Sequence, residues 1–161
     1  MESKEKTILV VDYDAQGLEE LASYFQNKNF RVLKARDGQM AYEIFKKENP
    51  DIVVLEAILP KIHGFDLTKK IYQETGGRTP VIIVTGLYKG PQYRHEALTS
   101  LGAAEYFEKP VDPDRLLSSV INLLREEESL EADLPDSQTV ISNLAQKIMN
   151  LGHSAGKNRP A

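Results

Sequence analysis

The chain has 161 residues, 41% of them hydrophobic and 27% charged, enough for one well-buried core and too few for two full domains. A net charge of -4 provides no basic face to engage nucleic-acid phosphates, and the absence of cysteine excludes disulfides, thiol catalysis and cysteine-ligated metals. The opening MESKEKTILVVDYD holds no apolar run long enough for a signal-peptide core or a membrane span, so a cytoplasmic protein with neither membrane nor nucleic-acid partners is expected.

In chain order, the first apolar run is ILVV at 8–11, followed by Leu18, Leu21, Ala22 and Phe25 at helical spacing. FRVLKA at 30–35 alternates less cleanly, as an edge strand does, and precedes Met40, Ala41, Ile44 and Phe45 on one helical stripe. IVVL at 52–55 leads to Leu67, Ile71 and Tyr72; VIIV at 81–84 leads to Tyr93, Ala97, Leu98 and Leu101. AEYF at 104–107 is a weaker strand candidate. Short continuous apolar runs suit parallel strands covered on both faces. Strand and helix alternate throughout, which predicts an α/β fold: a doubly wound five-stranded parallel sheet whose functional crevice lies beyond the carboxyl ends of the strands.

The last helix of this set starts near Asp112-Pro113-Asp114 and carries Leu116, Leu117, Val120, Ile121, Leu123 and Leu124. Its apolar stripe is wider than the sheet alone requires, and either a partner or the chain's own tail is available to cover the rest. The expected organisation is a domain over 1–127, an acidic linker over 128–136 broken at Pro135, an amphipathic helix over 137–152 and a disordered tail over 153–161. In the extra C-terminal helix Val140, Ile141, Leu144, Ala145, Ile148 and Leu151 share one stripe, with Gly152 as its stop. An acidic tether followed by such a helix docks on a partner groove, on a second copy or back on its own domain.

Strand exits are where the sequence becomes specific. Asp12 ends the first strand, Glu56 the third and Thr85 the fourth, while Lys109 follows the fifth. Taken singly, acids cap helices, threonines end strands and lysines are solvated charges; together these four converge on one crevice. The segments ILVVD, VVLEAILPKIHG, VIIVTG and GAAEYFEKP resemble the receiver domain of bacterial two-component response regulators, a flavodoxin-like fold, over about residues 6–127. The most specific element is the Lys109-Pro110 pair after Tyr106 and Phe107. In that family the lysine reaches the phosphoryl group and the peptide bond before the proline is cis, an isomer accessible in practice only before proline.

The resemblance implies a phosphoacceptor aspartate at the end of the third strand and two acids after the first strand that hold Mg²⁺. Such a metal offsets the negative charge gathered when a phosphoryl group passes to a carboxylate. This chain departs at both places. Asp12 retains the first acid, but the second falls on Tyr13, a phenol with a pKa of about 10 and a poor ligand at neutral pH. Asp14 is the remaining candidate second ligand, one residue further on. Glu56 occupies the phosphoacceptor position, one methylene further from the backbone, and a misplacement of about an ångström costs about a hundredfold in a positioned reaction.

A degenerate pseudo-receiver that needs no cofactor is therefore expected, with Glu56 reaching Lys109 as an ion pair and Thr85 donating a hydrogen bond to it. In the family, phosphorylation draws that threonine inward and the aromatic at the Tyr106 position rotates into the vacated space. Glu56 either imitates part of that signal, with one charge where an acyl phosphate carries nearer two, or simply neutralises Lys109 in a partly buried pocket. His63, before Gly64 where the family has Asp or Asn, reads as a turn residue and not as a base.

The loop GLYKGPQYRHE at 86–96 is longer than the family norm. Tyr88, Tyr93 and Arg94 there, with Leu144 and Ile148 in the extra helix, are the candidate interaction surface, because aromatic residues and arginine are typical anchors. The reading is a single-domain signalling protein, not an enzyme, that acts by protein–protein contact with other signalling proteins: a histidine kinase, a motility or regulatory protein, or a second copy as a homodimer. The alternative is a phosphorelay receiver that uses Glu56 as acceptor and Asp12 with Asp14 for Mg²⁺. A nucleotide-binding flavodoxin-like protein is disfavoured, because DYDAQG stands where a pyrophosphate would need glycines.

Overall fold

The computed structural model describes residues 5–132, without the side chains of 127–132. It divides after Arg125, and the fold below is that of the first unit. The second half of the expected linker, the expected helix over 137–152 with Leu144 and Ile148, and the expected tail lie outside the described residues.

Five strands alternate with five helices: β1 (Thr7–Val11), α1 (Ala15–Gln26), β2 (Arg31–Ala35), α2 (Gly38–Glu48), β3 (Ile52–Leu55), α3 (Gly64–Thr75), β4 (Val81–Thr85), α4 (Pro91–Thr99), β5 (Glu105–Glu108) and α5 (Pro113–Ala132). All strand pairs are parallel and the order is β2-β1-β3-β4-β5. β2, whose alternation is least regular, stands at an edge. α5 continues to Ala132 and so enters the segment expected as linker from 128, because its glutamates, leucine and alanine favour helix.

Alternate residues of each central strand serve opposite faces, as a pleated strand requires. Ile8, Val10, Ile52, Val54, Ile82 and Val84 pack with Leu18 and Phe25 of α1 and with Leu116, Val120 and Leu124 of α5. Leu9, Val11, Val53, Leu55, Val81 and Ile83 pack with residues of α2, α3 and α4, among them Phe45, Ile71 and Ala97. Both faces are apolar, which explains the uninterrupted runs read from the sequence. Among the described side chains of α5, Leu116, Val120 and Leu124 are buried, while Leu117 and Leu123 are partly buried against the same core.

Helix starts aim the loops over the crevice. The Asp14 carboxylate accepts from Gly17 N at 2.9 Å and caps α1, and Asp37 does the same for α2 through Met40 N at 2.7 Å. At α3 the cap is His63, whose Nδ1 accepts from Phe65 N at 3.1 Å. Gly64 then brings α3 against β3: a Cβ there would fall 2.4 Å from the carbonyl oxygen of Glu56, so only glycine allows this approach.

Candidate functional site

Asp12, Glu56, Thr85 and Lys109 follow or end strands that are neighbours in the sheet, and parallel pairing brings all four to its carboxyl edge. Asp12 and Glu56 are held by backbone bonds that continue the ladder, Asp12 N to Ala35 O at 3.1 Å and Glu56 N to Val11 O at 3.0 Å. Lys109 N bonds Thr85 O at 2.8 Å, and the Lys109-Pro110 peptide is cis.

The side chains form one ionic cluster. Lys109 Nζ lies 2.9 Å from Glu56 Oε2 and 3.0 Å from Asp12 Oδ2. Glu56 is buried at 5% exposure and Asp12 at 8%, so one ammonium stands between two desolvated carboxylates. Burial works against the Lys109 charge, but the hydrogen bonds and charges of Glu56 and Asp12 outweigh it and raise its pKa above the ordinary value. The remaining carboxylate oxygens accept from backbone amides, Glu56 Oε1 from Ile58 N at 3.3 Å and Asp12 Oδ1 from Asp14 N at 3.0 Å. The sequence predicts the Glu56 to Lys109 contact; sharing of the lysine by Asp12 is an addition.

The expected donation from Thr85 to Glu56 is absent. The Thr85 hydroxyl turns into its own loop, where it accepts from Leu87 N and Tyr88 N, each at 3.4 Å. Glu56 has no need of it, because Lys109 and the Ile58 amide occupy its oxygens.

A second cluster lies on the β4–β5 side. Tyr106 is 1% exposed, turned inward, and its hydroxyl donates to Tyr88 O at 2.5 Å. Burial first, and then the charge of Glu108, push its pKa up to about 12, so at neutral pH it is a phenol with a proton to donate. The Tyr88 ring stacks on Tyr93 at 5.1 Å between centroids and tilts against Phe65 at 5.3 Å and His63 at 5.6 Å. Arg94 Nη1 donates to Tyr106 O at 2.7 Å, and its Nη2 lies 3.7 Å from Glu105.

Of the residues expected at an interaction surface, Tyr88 and Tyr93 are half-buried and pack within the domain, since a half-buried ring finds packing more readily than solvent; Arg94 bonds within the domain and keeps its side chain 51% exposed. Leu87, at 68% exposure, is the apolar residue that this loop turns outward. Phe65, Glu108 and the carbonyl of Tyr88 belong to the site as well. No local pattern marks them, because each matters only through a neighbour distant in sequence.

The donors do not fit a resident Mg²⁺ ion. Such an ion takes a near-octahedral set of oxygens at about 2.0–2.1 Å. Here Asp12 gives one oxygen to an ammonium and the other to an amide, Asp14 turns back to cap α1, and the Tyr13 side chain is 48% exposed. Among the described residues no group of three or more His, Cys, Asp or Glu is placed to hold a metal.

The model of the response regulator receiver domain matches residues 8–121. The chain belongs to this family. Curated proteins similar to it include a probable transcriptional regulator, ycf27, of Porphyridium aerugineum, 34% identical over 136 residues that cover 83% of this chain and 55% of that protein. Another is the alkaline phosphatase synthesis transcriptional regulatory protein PhoP of Bacillus subtilis, 30% identical over 86% of this chain and 59% of its own length. The chain spans about half the length of the first such relatives (52% and 55%). Among solved structures, the CheY-like receiver domain protein of Methanospirillum hungatei superposes with a TM-score of 0.72 at 27% identity, covering 78% of this chain and 98% of that one. The clusters above therefore lie at the carboxyl edge of a receiver-domain sheet. No described helix is long and apolar enough to cross a membrane.

Proposed function

We propose that this receiver is a pseudo-receiver: a protein-binding module of two-component signalling whose state does not depend on phosphorylation. The observation that carries the reading is the Lys109 ammonium, bonded at once to Glu56 and Asp12. A phosphoryl group or a metal would have to displace this cation from two buried carboxylates, and an uncompensated buried charge is costly. Glu56 supplies a permanent anion where a working receiver gains one on modification, and the inward Tyr106 accompanies it. Its partners on this reading are other signalling proteins, a histidine kinase or a regulatory protein, or a second copy of the chain, met through the crevice rim and the Leu87 loop.

Incubation with a small-molecule phosphodonor and Mg²⁺ tests this, followed by intact-mass measurement and by binding of beryllofluoride. No incorporation and no beryllofluoride complex are expected. Restoring both aspartates, by Tyr13→Asp with Glu56→Asp, should create modification in an otherwise inert protein. Stoichiometric labelling of the unaltered chain, lost on Glu56→Ala, would overturn the proposal in favour of a phosphorelay receiver with a glutamate acceptor.

A further inference from the structure

The bond from Tyr106 to the Tyr88 carbonyl holds the switch aromatic inward, so whatever fixes Tyr88 fixes the switch. Tyr88 is fixed from α3. Its ring lies against Phe65, the second residue of that helix, and against His63, the cap residue; its hydroxyl meets His63 Nε2 at 3.3 Å. His63 Nδ1 accepts from Phe65 N, which leaves Nε2 to carry the ring proton toward Tyr88. One imidazole thus caps α3 with one nitrogen and tethers the β4–α4 loop with the other. An aspartate or asparagine cap does the first and is too short for the second.

The loop is pinned at further points. Lys89 N bonds Leu87 O at 3.0 Å and Gly90 N bonds Glu108 Oε1 at 2.7 Å, while Thr85 Oγ1 takes the amides of Leu87 and Tyr88. Among the described residues, no side-chain hydrogen bond runs from Asp12, Glu56 or the Lys109 ammonium to Thr85 Oγ1, Tyr88 or Tyr106. Side-chain hydrogen bonds do not join the ionic pocket to the aromatic switch, which meet through the Lys109 amide bond to Thr85 O and through the charge of Glu56 acting on Tyr106.

We infer that His63 and Tyr88 are positioning residues that hold Tyr106 inward and the 86–90 loop closed, so that the N terminus of α3, and not the Glu56–Lys109 pocket, sets the conformation of the switch. The closed loop presents Leu87 on a fixed backbone, which lowers the ordering cost when a partner covers it. This goes beyond the proposed function and is separable from it: phosphodonor labelling reads the pocket, and amide exchange in the loop reads the latch.

The experiment compares hydrogen exchange at the amides of residues 87–90 in the full chain and in His63→Asn, Tyr88→Phe, their double variant and Glu56→Gln. Asparagine keeps an acceptor for the α3 cap, and phenylalanine keeps the ring stack, so both variants are expected to fold; urea denaturation verifies it. Loss of one hydrogen bond should speed loop exchange about fivefold in each single variant. The double variant should be no faster than His63→Asn alone, because Tyr88→Phe removes only the bond that His63→Asn already removes. Glu56→Gln should leave loop exchange within about twofold of the unaltered chain. Unchanged exchange in His63→Asn and Tyr88→Phe, additive effects in the double variant, or acceleration by Glu56→Gln equal to that of Tyr88→Phe would each overturn the inference.

Discussion

Beyond β1 and β3 the crevice is ionic: two buried carboxylates close on one ammonium, and the spare oxygens take backbone amides. Beyond β4 and β5 it is aromatic: a buried phenol bonds a loop carbonyl whose own ring is wedged among three others. A receiver that responds to phosphorylation needs the first half to drive the second through its threonine. In this chain Thr85 faces its own loop, Glu56 is satisfied without it, and the aromatic half is tied to α3. Ion pairs and ring packing each complete themselves locally, so two halves a few ångströms apart need not share a state.

The sharpest way to break both halves together is Gly64→Ala. A Cβ at this position would lie 2.4 Å from Glu56 O and 2.7 Å from Ala57 Cα, so β3 and the His63 cap must separate. Overpacking against backbone costs about 3 kcal/mol, to be read as a lowered urea midpoint together with faster loop exchange. Lys109→Met attacks the ionic half alone. It leaves Glu56 and Asp12 facing each other without a cation, a loss of about 2–3 kcal/mol at neutral pH, below the figure for a fully buried pair because the Lys109 side chain is 38% exposed.

On the aromatic side Tyr106→Phe keeps the ring and removes the bond to Tyr88 O, which is expected to cost about 1 kcal/mol and to leave the Glu56–Lys109 contact unchanged in side-chain NMR spectra. Glu56→Gln should cost less than about 1 kcal/mol, because shape is kept and Lys109 retains Asp12. At neutral pH the tyrosine and lysine titrations have no effect; at alkaline pH both halves weaken. Tyr106, raised from 10.0 to about 12, holds its proton more tightly folded than unfolded. Its contribution is therefore complete below pH 10 and is lost as pH rises from 10 through 12. The raised pKa of Lys109 has the same sign: its contribution is complete below the ordinary value of 10.5 and lost at higher pH. Tyrosinate absorbance during alkaline titration should show Tyr106 ionising late, together with Tyr24, whose hydroxyl donates to Asp114 and whose pKa also stands near 12.

Much of this molecule is readable in one dimension. Apolar runs of four or five residues with helical stripes between them predict the doubly wound sheet, because strands buried on both faces have no polar alternation to hide. Polar residues at the strand exits predict the crevice, and their identities mark where the resemblance departs: Tyr13 and Glu56 are visible as departures with no structure at all. The Glu56 to Lys109 pair also follows from the sequence, since both residues are placed at strand ends and charge does the rest.

The partners of Thr85, Tyr88, Arg94 and His63 were not readable. A hydroxyl that chooses between a carboxylate and two loop amides, or a tyrosine that chooses between solvent and a histidine 25 positions away, is decided by where neighbouring loops end up. The sequence alone determined the receiver fold and the gathering of Asp12, Glu56, Thr85 and Lys109 at one sheet edge, because these depend on periodicity and on residue type at strand ends. Tertiary structure decided that Asp12 shares Lys109 across 97 positions and that Tyr88 meets His63 and Phe65 at the start of α3, because hydrogen bonds and ring contacts form only once sheet order has set which loops are neighbours.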